Sequence, residues 1–226
     1  MTSVLVELPS DDVEVRIAVD AARARDEGPR AVIVLAHGAG AGMDHPFLTG
    51  VADTFAGAGF DVVRFAFPYA QRGRRMPGPA AHAVAAWRAV FAHAARRRPE
   101  VPMIAAGRSY GGRMASMAAA EGVIAPAALV YLGYPLHPPG APDKVRADHL
   151  PAITAPQLFV SGTADPFLQP LEQFTAVVDG LPRASILWVE DAGHSFEVRG
   201  AKRDSAVIGA DIAQRVEPWI GKALGR

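Results

Sequence analysis

The chain has 226 residues, of which 50% are apolar and 20% charged; this excludes a wholly disordered polypeptide and leaves room for one domain, spanning residues 1–226, with a sizeable core. Lys+Arg and Asp+Glu each number 23, so no bulk charge points to nucleic acid or to an anionic membrane as a partner. Cysteine is absent, which excludes disulfide frameworks, thiolate metal sites and a cysteine nucleophile.

The N-terminal run MTSVLVELPSDDVEV lacks the basic start, apolar stretch and cleavage site of a signal peptide. The most apolar stretch, Val123 to Leu136, is too short to span a bilayer and contains Pro126 and Gly133. A soluble, cytoplasmic protein is expected. Val4–Leu8 and Val13–Val19 flank Pro9-Ser10-Asp11-Asp12 and predict a hairpin. Ala31–Ala36 is a continuous apolar run, as in a strand covered on both faces. The loop His37-Gly38-Ala39-Gly40-Ala41-Gly42 follows. Asp44 is expected to cap a helix with Pro46 in its first turn, reaching about Ala58.

Phe60–Phe65 predicts the next strand, and Pro68–Pro79 a loop carrying Arg72, Arg74 and Arg75. An alanine-rich helix is predicted from Ala80 to Arg97, its basic end suited to a helix C-terminus. Pro102–Ala106, Ala127–Leu132, Gln157–Ser161 and Ser185–Val189 predict further strands. Helices are predicted over Ser109–Glu121, Pro170–Val178 and within Arg203–Leu224. This alternation implies an α/β fold: a mostly parallel sheet with helices on both faces and an antiparallel N-terminal edge. Gly133–Pro156 is the one irregular insertion, too short for more than a minimal cap.

Gly107-Arg108-Ser109-Tyr110-Gly111 matches G-x-S-x-G between a predicted strand and a predicted helix. That is the setting of a strained turn exposing a serine oxygen; a helix cap is the bland alternative. Asp165 lies just beyond the predicted strand Gln157–Ser161, and His194 in the loop before the last helix. In a parallel sheet all three loops emerge on one rim. Ser109 is a poor nucleophile on its own; His194 is expected to take its proton and return one to the leaving group, with Asp165 orienting the imidazole. Asp191 and Glu190 are rival acids too close to His194 in sequence to be preferred.

Backbone N–H groups of Tyr110 and Ala39, with Gly40 a further candidate, are expected to form an oxyanion hole. His37 is expected to order that loop rather than act as a base. Tyr69, Arg72, Tyr134, Leu136 and Phe167 are the candidate substrate contacts, because they sit near predicted loop ends. The arginine loop either rims the site or is simply solvated. Arg113 is expected to brace neighbouring loops. The seven histidines show no close metal-ligand spacing, so neither metal nor cofactor is expected.

The runs His37–Gly40, Phe67–Tyr69, Gly107–Arg113, Gly133–Gly140, Gly162–Phe167 and Gly193–Ser195 make the chain resemble the α/β-hydrolase superfamily. More narrowly it resembles the compact dienelactone-hydrolase-like branch. It is similar there to the group of testis-expressed protein 30 and the third regulatory subunit of the non-specific-lethal complex. The resemblance implies that the family's serine, acid and histidine fall on Ser109, Asp165 and His194. Dienelactone hydrolases proper use a cysteine, which this chain lacks. The expected activity is hydrolysis of small carboxylic esters or thioesters, with a small-molecule acyl substrate as partner. A non-catalytic interaction protein, or a peptidase or acyltransferase with the same residues, is the alternative. Monomer and homodimer stay open.

Overall fold

Ala31–Ala36 has no polar side chain to offer water, and the strand it forms, β3 (Val32–Ala36), is buried along its whole length. The computed structural model describes residues 2–9, 11–23 and 28–225. β3 pairs in parallel with β4 (Asp61–Phe65) on one side and β5 (Met103–Arg108) on the other. Beyond β5, the strands β6 (Ala128–Leu132), β7 (Gln157–Gly162) and β8 (Ala184–Val189) continue in parallel. At the other edge β1 (Thr2–Val6) and β2 (Val13–Asp20) pair antiparallel, and β2 pairs antiparallel with β4. The order is β1-β2-β4-β3-β5-β6-β7-β8. The sheet is therefore mostly parallel with the antiparallel N-terminal edge that the sequence predicts. Ser10, in the expected hairpin turn, lies outside the described residues.

The period-2 alternation of a strand sends neighbouring side chains to opposite layers. Ile33 and Leu35 pack with Phe47 and Val51 of α1 (Pro46–Gly57) and Ile208 and Ile212 of α6 (Ser205–Ala223). On the other face Val34, Phe65 and Phe159 meet Trp87 of α3 (Ala80–Arg97), Met114 of α4 (Tyr110–Ala120) and Phe174 of α5 (Leu171–Asp179). A one-turn helix, α2 (Pro68–Gln71), occupies the start of the expected arginine loop. Four residues are too few to show a helical period in sequence.

The cap of α1 differs from expectation. His45 is the N-cap, and its Nδ1 accepts the Phe47 N–H at 3.2 Å. Asp44 is instead engaged by Arg16 at 2.7 Å and by the buried Arg64 at 3.1 Å. Arg64 also pairs with Asp20 and donates to the Met43 carbonyl at 2.7 Å. This ties the loop after β3 to the antiparallel edge. No helix among the described residues is long and apolar enough to cross a membrane.

Chain order reverses between β3 and β5: the connections from β3 run to one side of the sheet, those from β5 to the other. Such a switch point opens a crevice at the carboxyl ends of the strands. Ala36 and Gly107 are register partners there. The small-residue loop and the serine turn consequently emerge side by side.

Candidate active site

β5 delivers Ser109 into the crevice with φ 47° and ψ −114°, a strained backbone for a residue with a side chain. The turn is held by close approach. A Cβ on Gly107 would lie 2.4 Å from the Gly112 nitrogen, and one on Gly111 would lie 2.5 Å from the His37 carbonyl oxygen. Glycine at these two positions lets α4 and the loop after β3 press against the serine.

β7 ends three residues before Asp165, which is fully buried. Its Oδ1 accepts the Phe167 N–H at 2.9 Å. Its Oδ2 lies 2.7 Å from His194 Nδ1. A carboxylate can only accept, so Nδ1 carries the proton and Nε2 is left as an acceptor. Ser109 Oγ lies 2.8 Å from that Nε2 and donates to it. The Phe167 ring covers the imidazole, with centroids 4.2 Å apart. The structure thus brings the three sequence-predicted residues into one hydrogen-bonded chain. Asp191 and Glu190 are exposed and outside it; the Asp191 N–H donates to Thr163 Oγ1 in a turn at φ 57°.

A second serine and histidine also touch: Ser116 Oγ and His149 Nε2 are 2.7 Å apart. Ser116 is fully buried, and its hydroxyl donates to the Arg113 carbonyl at 2.7 Å. His149 must then donate to Ser116, which is the wrong direction for a base. Burial, with the charge of Arg113 added, pushes the His149 imidazole from 6.5 down to about 4. Burial also lowers His37. The unfolded chain then binds more protons than the folded one in this window, so the stabilisation from neutral His149 is complete above pH 6.5 and is lost as pH falls through about 4. Denaturant titrations stepped from pH 7 to pH 4 are expected to show falling stability, with a shallower fall in His149→Gln. Parallel curves for the two proteins would contradict this.

The loop after β3 is ordered by His37. Its Nδ1–H donates to the Gly38 carbonyl at 2.8 Å, and its Nε2 accepts the Phe67 N–H at 3.1 Å. Ala39 and Tyr110 line the cavity beside Ser109, and their N–H groups have no acceptor among the described residues. Gly40 does not join them, because its N–H is engaged by the Arg75 carbonyl at 3.1 Å.

Of the candidate substrate contacts, Phe167 lines the cavity. Tyr134 and Leu136 do not. Both are fully buried core residues; the Tyr134 hydroxyl donates to the Arg146 carbonyl at 2.6 Å, and its ring packs on Tyr131 and Phe159. Tyr69 is buried beneath the loop after β3, its hydroxyl reaching the Gly38 carbonyl at 3.4 Å. Arg72 pairs with Asp11 at 2.6 Å, outside the cavity. Arg113 braces no loop through its side chain; it lines the cavity, as do Arg108 and Arg146. Sequence reading missed Arg146, which lies far from the serine motif and gives no local signal.

The cavity has a volume of about 490 Å³. A second one of about 390 Å³ lies on the opposite rim, beside Val32 and Asp61 at the amino ends of β3 and β4, and holds none of these groups. Among the described residues no cluster of three histidine, aspartate or glutamate side chains is placed to hold a metal.

Solved structures share this architecture. A serine hydrolase without lid from Xanthomonas campestris is 20% identical over 96% of this chain and 94% of its own, with a TM-score of 0.74. A dienelactone hydrolase from Anabaena variabilis is 21% identical over 96% and 95%, with a TM-score of 0.72. Est1E from Butyrivibrio proteoclasticus, with ferulic acid bound, is 15% identical over 98% and 99%, with a TM-score of 0.75. At these identities the likeness is one of fold. The family described as alpha/beta hydrolase domain matches residues 29–220, and the chain belongs to that family.

Proposed function

We propose that the protein is a serine hydrolase of small carboxylic esters or thioesters. The observation that carries this reading is the chain from Ser109 Oγ through His194 to buried Asp165, with contacts of 2.8 and 2.7 Å. Ser109 attacks the acyl carbon while His194 Nε2 takes its proton, and Asp165 stabilises the imidazolium that forms. The Ala39 and Tyr110 N–H groups receive the oxyanion of the tetrahedral intermediate. The intermediate expels an alcohol or thiol protonated by His194. Water, activated by the same histidine, then releases the acid from Ser109. No cofactor enters these steps.

The continuous eight-stranded sheet supports one catalytic domain over residues 1–226. The runs Gly107–Arg113 and Gly133–Gly140 support a place near the testis-expressed protein 30 group.

A fluorophosphonate probe tests the reading. It is expected to label the wild type and Ser116→Ala, and to leave folded Ser109→Ala unlabelled. Labelling of Ser109→Ala, or none of the wild type, would overturn the assignment; the latter would favour a non-catalytic interaction protein.

A further inference from the structure

Three arginines line the cavity beside Ser109, and they differ in how they are satisfied. Arg108 donates to Ser195 Oγ at 2.8 Å and lies 5.1 Å above the centre of the Phe47 ring. Arg113 and Arg146 make no side-chain hydrogen bond or ion pair with the described residues, and Arg113 Nε is buried without a partner. Elsewhere Arg16, Arg64, Arg72 and Arg98 each face a carboxylate. The two unpaired arginines also repel one another: burial, with the charge of Arg113 added, pulls the Arg146 guanidinium below its ordinary value. A partly buried polar group without a partner is costly, and two like charges without a counter-ion add to that cost. An oxyanion between them would remove both penalties.

The Arg146 backbone is pinned at both its polar groups. Its N–H donates to the Leu136 carbonyl at 2.8 Å, and its own carbonyl accepts the Tyr134 hydroxyl at 2.6 Å. Arg113 is anchored in the first turn of α4, where its N–H donates to the Ser109 carbonyl at 3.0 Å. Both guanidinium groups therefore hang from rigid backbone beside the nucleophile. Their planar forks suit carboxylate and phosphate oxygens alike.

We propose that the substrate carries, besides the scissile ester or thioester, a carboxylate or phosphate group, and that Arg113 and Arg146 hold it. This rests on the hydrolase reading above. The two residues are specificity determinants, outside the bond-making steps.

The test compares kcat/KM within matched pairs. One pair is the 4-nitrophenyl ester of glutarate against the same ester with its free carboxylate methylated. The other is acetylglycerol 3-phosphate against acetylglycerol. The charged member of at least one pair is expected to be preferred by about tenfold or more, and the pair that shows it identifies the anion. In Arg113→Met and in Arg146→Met that preference is expected to fall by on the order of tenfold. Arg113→Lys, which keeps charge but loses the fork, is expected to lie between. Indifference to charge in both pairs, or variants that slow both members equally, would overturn the proposal even if Ser109 labels and turns over neutral esters. A binding arm needs no chemistry: glutarate or inorganic phosphate is expected to raise the melting temperature of Ser109→Ala, and to lose that effect when Arg113→Met and Arg146→Met are added. If Ser109 proved inert while this shift persisted, the hydrolase reading would fail and the anion site would stand. Absence of the shift counts against the anion site.

Discussion

Asp165→Asn is expected to fold as the wild type does and to lower kcat for an activated ester by about 10⁴-fold. The reason lies in which oxygen does what. Oδ1 accepts the Phe167 N–H at 2.9 Å, and Oδ2 faces His194 Nδ1 at 2.7 Å. In asparagine the single side-chain oxygen has to receive the Phe167 N–H, so the amide NH₂ turns toward Nδ1. Nδ1 must then accept, the ring proton moves to Nε2, and His194 faces Ser109 with a donor where it needs a lone pair. Circular dichroism checks the fold and steady-state kinetics the rate. A variant within tenfold of the wild type would remove Asp165 from the mechanism.

Gly162→Ala is expected to weaken both stability and turnover. A Cβ there would lie 2.1 Å from the Ala192 carbonyl oxygen and 2.9 Å from that of Gly193. Gly162 closes β7, three residues before Asp165, and Ala192 and Gly193 lead directly into His194. The glycine lets the acid loop and the base loop lie against each other, an approach that Ala164 completes by donating to the Ala192 carbonyl at 3.0 Å. Overlap with backbone is not relieved by a rotamer change, so the loops must part. The cost in stability is about 1–3 kcal/mol. A shift of the imidazole by an ångström costs on the order of 10²-fold in kcat. Denaturant unfolding and kinetics on the same preparation read the two effects; a fully active variant of unchanged stability would show that the loops are not locked.

The Ser109 turn, Asp165 and His194 were legible because each lies where an apolar strand pattern stops, and strand ends in a parallel sheet share one rim. Orientation was not legible. Tyr134 and Leu136 lie as close to a strand end as Phe167 does, yet they turn into the core while Phe167 turns onto the histidine. Sequence position says that a residue is near the rim; packing decides which way it points. Asp44 was misread for a similar reason, since a good capping residue was claimed by Arg16 and Arg64 from strands distant in sequence. Gly162 opens one of the runs that carry the family resemblance, but why glycine is needed there depends on what lies across from it, the Ala192 and Gly193 carbonyls. Arg113 and Arg146 line one cavity only because α4 and the loop after β6 converge there.

The loop that carries Ala39 is held by the His37 ring against Phe67, by the Arg75 carbonyl on the Gly40 N–H, and by Arg64 on the Met43 carbonyl. During acyl transfer in water, solvent dipoles must turn as negative charge gathers on the carbonyl oxygen, and that reorganisation is a large part of the barrier. In the hydrolase proposed above, the Ala39 N–H is in place before substrate arrives, because the three tethers hold the backbone that carries it. On that reading folding places the donor in advance, so its placement is not repeated in each catalytic cycle.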